Sequence, residues 1–145
     1  MKNEPIVIEQ TYTAPSERVW KALTENIQMK QWYFELDDFK TEKDFEFKFY
    51  GGTEENRYLH LCNIKEVIPG RKISYSWKYD GYPGNSLVTF ELFEEGNYTR
   101  IKLMHEGVEQ FPSDNPDFTR ENFVAGWTQI IGTALKDFVE KADKK

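Results

Sequence analysis

The sequence predicts an α+β fold: a curved antiparallel sheet of about six or seven strands wrapped around one long C-terminal helix, with two short helices after the first strand. Three observations carry that prediction. Apolar and polar residues alternate in five segments between residues 44 and 106, the period of a half-buried strand. Turn-forming Gly, Pro and Asn residues divide those segments at regular spacing, as in an antiparallel meander. From residue 118 onward the apolar spacing changes to three and four, which is one face of a helix.

Residues 5 to 13 read as the first strand, because Ile6, Ile8 and Tyr12 fall at even positions and Glu9, Thr11 and Thr13 occupy the other set. Pro15 suits a first helical position, with Thr13 or Ala14 before it. Val19, Leu23 and Ile27 then recur every four residues, so a helix of about ten residues starts there. Gln28 to Phe34 keeps the helical period for barely two turns and ends in Trp32-Tyr33-Phe34, a second and shorter helix.

Phe45, Phe47 and Phe49 alternate with Asp44, Glu46 and Lys48 ahead of a Gly51-Gly52 turn, which makes the clearest strand in the chain. Four more follow: 57 to 68, closed by Pro69-Gly70; 72 to 79, closed by Gly81 and Pro83-Gly84; 86 to 94, closed by Gly96-Asn97; and 98 to 106. Ile73, Tyr75, Trp77 and Tyr79 share one face, as do Val88, Phe90 and Leu92, and Ile101, Leu103 and His105. One face of the sheet is therefore aromatic and aliphatic. Glu106 to Asp117 contains Pro112, Ser113, Asn115 and Pro116, breaks both periods and reads as a covering loop. Beyond it, Phe123, Trp127, Ile130, Ile131, Ala134, Leu135 and Phe138 form the apolar stripe of the closing helix, with Asp117 or Thr119 at its start. No internal repeat or linker divides the chain, so one domain over 1–145 is expected.

Composition bounds the function. With 25 acidic and 19 basic residues the net charge is −6, the wrong sign for neutralising phosphates, so nucleic acid and anionic membrane are not expected partners. No stretch approaches the roughly 20 apolar residues of a membrane span. Cys62 is the single cysteine, which rules out an intrachain disulfide and fits a reducing, cytoplasmic setting. Four Trp, 8 Tyr and 11 Phe bring large, stiff apolar surfaces suited to a dense core or a rigid lining.

Local motifs narrow the fold further. Ala14-Pro15-Ser16-Glu17-Arg18-Val19-Trp20-Lys21-Ala22-Leu23, Gln31-Trp32, Ser76-Trp77, Thr99-Arg100-Ile101 and Gly126-Trp127 together resemble the activator of heat-shock-ninety ATPase homologue family. The resemblance spans essentially the whole chain and places it in the START-like (SRPBCC) helix-grip superfamily. It implies a cavity between the sheet and the C-terminal helix, a space that in the superfamily takes lipids, aromatic polyketides or other apolar molecules. The family often has a Gly-Gly-Phe turn before the Phe-rich strand, where this chain has Thr41-Glu42-Lys43-Asp44 before Phe45. The eukaryotic activator also carries a separate N-terminal domain that engages the chaperone. A chain of this length is not expected to hold it, which makes chaperone activation the lesser expectation.

The expected cavity lining is Trp32, Tyr33, Phe47, Tyr75, Trp77, Phe90, His105, Phe123, Trp127 and Ile131: aromatic faces contact an apolar ligand while hydroxyl, imidazole or indole groups orient it. The alternative is that they simply fill the core. His105, at a strand end on the apolar face, is the one candidate general base, against a structural histidine satisfied by its neighbours. His60 stands alone mid-strand, and two isolated histidines fall short of a zinc site, so no metal is expected. Glu106 and Glu109 read as solvated charges rather than an acid and base pair, and Cys62 as a small buried side chain rather than a nucleophile. No GxGxxG or GxxxxGK pattern occurs, and no cofactor is expected. The leading function is binding of a small apolar or aromatic molecule by a monomer or weak homodimer. The alternatives are a chaperone-docking protein and a cyclase- or hydrolase-like enzyme using His105.

Overall fold

The computed structural model describes residues 4–32, 39–52, 57–112 and 114–142. Six strands form one antiparallel sheet: β1 Ile6–Tyr12, β2 Glu46–Gly52, β3 Arg57–Ile68, β4 Lys72–Tyr79, β5 Ser86–Glu95 and β6 Tyr98–Glu106. Their order is β1-β6-β5-β4-β3-β2, so β2 to β6 are a plain meander and β1 closes onto its last strand. The inward rows follow the alternation. Ile73, Tyr75, Trp77 and Tyr79 of β4, Val88, Phe90 and Leu92 of β5, and Ile101, Leu103 and His105 of β6 are all buried.

The strand at β2 runs further than the glycines suggest. Gly51 and Gly52 pair with Tyr58 and Arg57 instead of turning, since a glycine in an extended ladder loses no backbone hydrogen bond. At the other end of β2, Asp44 adopts φ 70, the left-handed conformation that an Asx side chain tolerates. Asp44 therefore does there the work of a glycine, and its N–H donates to the Ile64 carbonyl at 2.7 Å.

Helix α1, Ser16–Thr24, begins immediately after Pro15 and buries Val19, Ala22 and Leu23. Helix α2, Asn26–Trp32, starts after a break at Glu25. That break ends the four-residue row: Ile27 belongs to α2 and is 70% exposed. Trp32 is turned back under α1 by an indole N–H donated to the Ala22 carbonyl at 2.9 Å.

The covering segment contains two short 3-10 turns, Val108–Gln110 and Pro116–Phe118, and leads into the closing helix. That helix consists of α3, Arg120–Gln129, and α4, Leu135–Ala142, joined by a π-helical turn over Ile130–Ala134. Thr119 caps the start by accepting the Asn122 N–H. The buried residues are Phe123, Trp127, Ile131, Leu135 and Val139, each four from the last. On a pure α-helix that row would rotate by about 40° per step, because 3.6 residues make a turn. The wider π turn takes up the drift and keeps the row on one face. Tyr12 anchors it, donating its hydroxyl to the Ile131 carbonyl at 2.5 Å. Ile130, Ala134 and Phe138, which the sequence placed on the stripe, are only half-buried.

The helix is also pinned at its ends. Arg120 donates to the Glu4 and Pro5 carbonyls, and Glu140 accepts the Thr13 N–H. Among the described residues, no helix is long and apolar enough to cross a membrane.

Candidate functional site

His105 faces the closing helix from β6 and is fully buried. Trp127 donates its indole N–H to Nδ1 at 2.9 Å. An indole nitrogen has only a proton to offer, so Nδ1 must be the acceptor and Nε2 must carry the imidazole hydrogen. Nε2 lies 2.8 Å from Ser86 Oγ, which in turn donates to the Trp77 carbonyl at 2.7 Å. The chain Trp127 to His105 to Ser86 to Trp77 is thus satisfied at every step and runs in one direction. Burial pushes the imidazole pKa down to about 3. With its one lone pair already committed to Trp127, His105 has none with which to take a proton from a substrate.

The predicted lining residues fall into two groups. Toward α1 and α2, Trp32, Tyr75 and Phe90 meet Leu23, Met29 and Ile73 along a narrow seam too tight to seat a water molecule. Phe47 stands edge-on to Tyr75 at 4.9 Å. Toward the covering segment, Trp77 and Trp127 lie 5.3 Å apart, and Phe123 is edge-on to His105 at 5.2 Å. Phe90 links the groups, 5.9 Å from both Tyr75 and Trp127. Ile131 is buried beneath the helix on the Tyr12 side. Tyr33 lies outside the described residues.

His60 is buried in a nest of rings, stacked on Phe49 at 4.6 Å and edge-on to Trp77 and Tyr79. Its Nδ1 is 3.0 Å from the Tyr58 carbonyl, and burial draws its pKa down to about 4. Burial also drives the Cys62 thiol well above the usual thiol range, so it carries no thiolate near neutral pH. Glu106 and Glu109 are exposed. Among the described residues, no group of three His, Cys, Asp or Glu could hold a metal.

The sequence did not point to Ser86, Phe111 or Phe118. Ser86 shares the inward phase of Val88 and Phe90, a signal masked by its small polar side chain. Phe111 and Phe118 are both 3% exposed, although they sit in a segment rich in Pro, Ser and Asn. Two phenylalanines amid turn residues were the available clue that the loop docks on the core.

A six-stranded antiparallel sheet gripping a C-terminal helix over an aromatic interior is the helix-grip architecture. The family model described as Activator of Hsp90 ATPase homolog 1-like protein matches residues 13–140, and the chain belongs to that family. An X-ray structure of a protein from Chromobacterium violaceum is 22% identical, with a TM-score of 0.79 over 94% of this chain and 97% of that one. One from Mesorhizobium loti is 24% identical, with a TM-score of 0.75 over 96% and 98% of the two chains. A solution structure from Bacillus halodurans is 26% identical, with a TM-score of 0.74 over 97% and 100%. No curated protein matches the chain in sequence.

Proposed function

We propose that the protein binds a small apolar or aromatic molecule between its sheet and its C-terminal helix. The observation that carries this reading is the narrow seam, too tight for water, where Leu23, Met29, Trp32, Ile73, Tyr75 and Phe90 meet. Protein interiors close-pack, and a seam bordered by a flexible methionine and three aromatic faces is where a side-chain rotation makes room for a ligand. Membership of a family whose fold is compatible with hydrophobic-ligand binding supports it. His105 serves as scaffold in this reading, since its committed lone pair offers nothing to a cyclase or hydrolase mechanism. The one buried thiol accords with a cytoplasmic location.

Native mass spectrometry of the protein purified gently from its source, followed by denaturing extraction, tests the proposal. A stoichiometric small molecule is the expected result. A ligand present at a hundred times its Kd stabilises the fold by about 2.7 kcal/mol, so a lipid and aromatic library should also contain compounds that raise Tm. An empty protein whose Tm no compound raises would overturn the reading. The family description favours a second one, docking on a chaperone. A pull-down that recovers no chaperone would remove it.

A further inference from the structure

The end of the interior away from α1 and α2 is stoppered by the covering segment. Phe118 lies flat on Tyr79, centroids 4.5 Å apart and planes 23° from parallel. Phe111 stands edge-on to the same ring at 5.1 Å. Beneath Phe118, the Tyr79 hydroxyl accepts the Trp77 indole N–H at 2.9 Å. A tyrosine hydroxyl also has a proton to donate, and among the described residues that proton meets no acceptor. Tyr79 is only 6% exposed, so an unspent donor there is a cost that a ligand acceptor would relieve.

The cover is held by ring contacts more than by hydrogen bonds to the sheet: Phe118 packs against Tyr58, Tyr79, Tyr82 and Phe111. The backbone hydrogen bonds of both turns close within the segment itself: Gln110 to Gly107, Phe111 to Val108, Asn115 to Pro112 and Phe118 to Asn115. Phe118's turn is tied to the sheet by a half-buried latch, the Tyr58 hydroxyl, which donates to Asp117 Oδ2 at 2.5 Å and accepts from Asn115 Nδ2 at 3.4 Å. With few hydrogen bonds to the sheet, the segment opens once those ring contacts are replaced.

We propose that Phe118 occupies the ring site of a flat aromatic ligand bearing a hydrogen-bond acceptor, which stacks on Tyr79 and takes its hydroxyl hydrogen bond when the Pro116–Phe118 turn swings out. This assignment rests on the ligand-binding reading above and adds to it the place of entry and the ligand's chemical class. The turn is then a built-in competitor, and affinity depends on how firmly its latch is fastened.

Matched probes test it: 9-fluorenone, a planar ketone, and fluorene, the same ring system without the carbonyl, titrated against the labelled protein by amide NMR. Phe118→Ala should tighten fluorenone binding at least tenfold, with shifts centred on Tyr79. Tyr58→Phe, which removes the hydrogen bond to Asp117 and the longer one from Asn115 with little volume, should tighten it severalfold. A cavity alone would take both probes equally well. Adding Tyr79→Phe to Phe118→Ala should therefore weaken fluorenone roughly five- to tenfold and leave fluorene unchanged. If Phe118→Ala fails to fold, Tyr58→Phe with and without Tyr79→Phe carries the test. The proposal is overturned if neither cover variant tightens binding, or if both probes respond alike to Tyr79→Phe. Fluorenone binding near Leu23 and Met29, indifferent to Phe118, would overturn it while leaving the broader function standing. No binding to any variant, together with failure of the library, would remove both.

Discussion

Lowering the pH from 7.5 to 5 should unload a large part of the fold's stability through two buried histidines. In the folded chain His105 and His60 stay neutral down to about 3 and about 4 respectively. In the unfolded chain an imidazole protonates near 6.5. Below 6.5 the unfolded state therefore binds more protons than the folded one, and stability falls as the pH falls. Above 6.5 both states are neutral and neither histidine contributes a slope. At pH 5 each imidazole forfeits roughly 1.5 units at 1.36 kcal/mol per unit, about 2 kcal/mol, or about 4 kcal/mol together. That is a substantial share of the 5–15 kcal/mol typical of a domain. Urea denaturation at pH 7.5, 6.5, 5.5 and 5, repeated on His60→Phe, reads the effect. Phenylalanine can keep the ring contacts with Phe49, Trp77 and Tyr79, so the variant should lose about half of the pH-dependent stability while remaining folded. An identical pH dependence in the variant and the parent would refute the reasoning, because carboxylate titration is common to both.

Three further outcomes follow from particular contacts. Ser86→Ala leaves His105 Nε2–H buried with no acceptor and should cost about 1–3 kcal/mol, read as a lowered urea midpoint at unchanged slope. Gly84→Ala should destabilise by about 1–3 kcal/mol in the same assay. Its φ is +106, and the added methyl would lie 2.6 Å from the Gln110 carbonyl oxygen and 2.8 Å from the Phe111 ring. Tyr12→Phe removes the hydroxyl that bonds the Ile131 carbonyl and should cost about 1 kcal/mol, with amide exchange accelerating around residues 130–135 before it does in the sheet.

The strands were legible because alternation needs only one buried face, and Phe45, Phe47 and Phe49 or Ile73 to Tyr79 display it without interruption. Element ends were less so where a residue can serve two roles: Gly51 and Gly52 read as a turn yet extend a ladder. The closing helix was readable by its spacing, but the π turn was hidden in the strict four-residue repeat from Phe123 to Val139, which a pure α-helix cannot keep on one side. Much of the aromatic interior on the sheet and the closing helix was visible in the sequence, Tyr33 lying outside the described residues, while the partners of His105 were not. The Trp127 contact joins a strand to a helix, and Ser86 reaches the imidazole from a neighbouring strand, so no sequence spacing encodes either approach. Phe111 and Phe118 were lost for a different reason: a loop has no period against which a buried ring can stand out.

The three ties between the C-terminal helix and the flanks of β1 have a mechanical consequence. Arg120 near one end, the Tyr12 hydroxyl at the centre and Glu140 near the other fasten the rod along its length to a single edge strand. A rod bolted at three points to one rail cannot tilt or lift without carrying the rail with it. In the proposed ligand-bound state, room for a guest would come from the opposite bank, where α1 and α2 lean on the sheet with Trp32 and Met29 between them, and from the short turns at the far mouth. On that proposal the helix is the fixed jaw of the grip, and the smaller pieces of the fold supply the moving one.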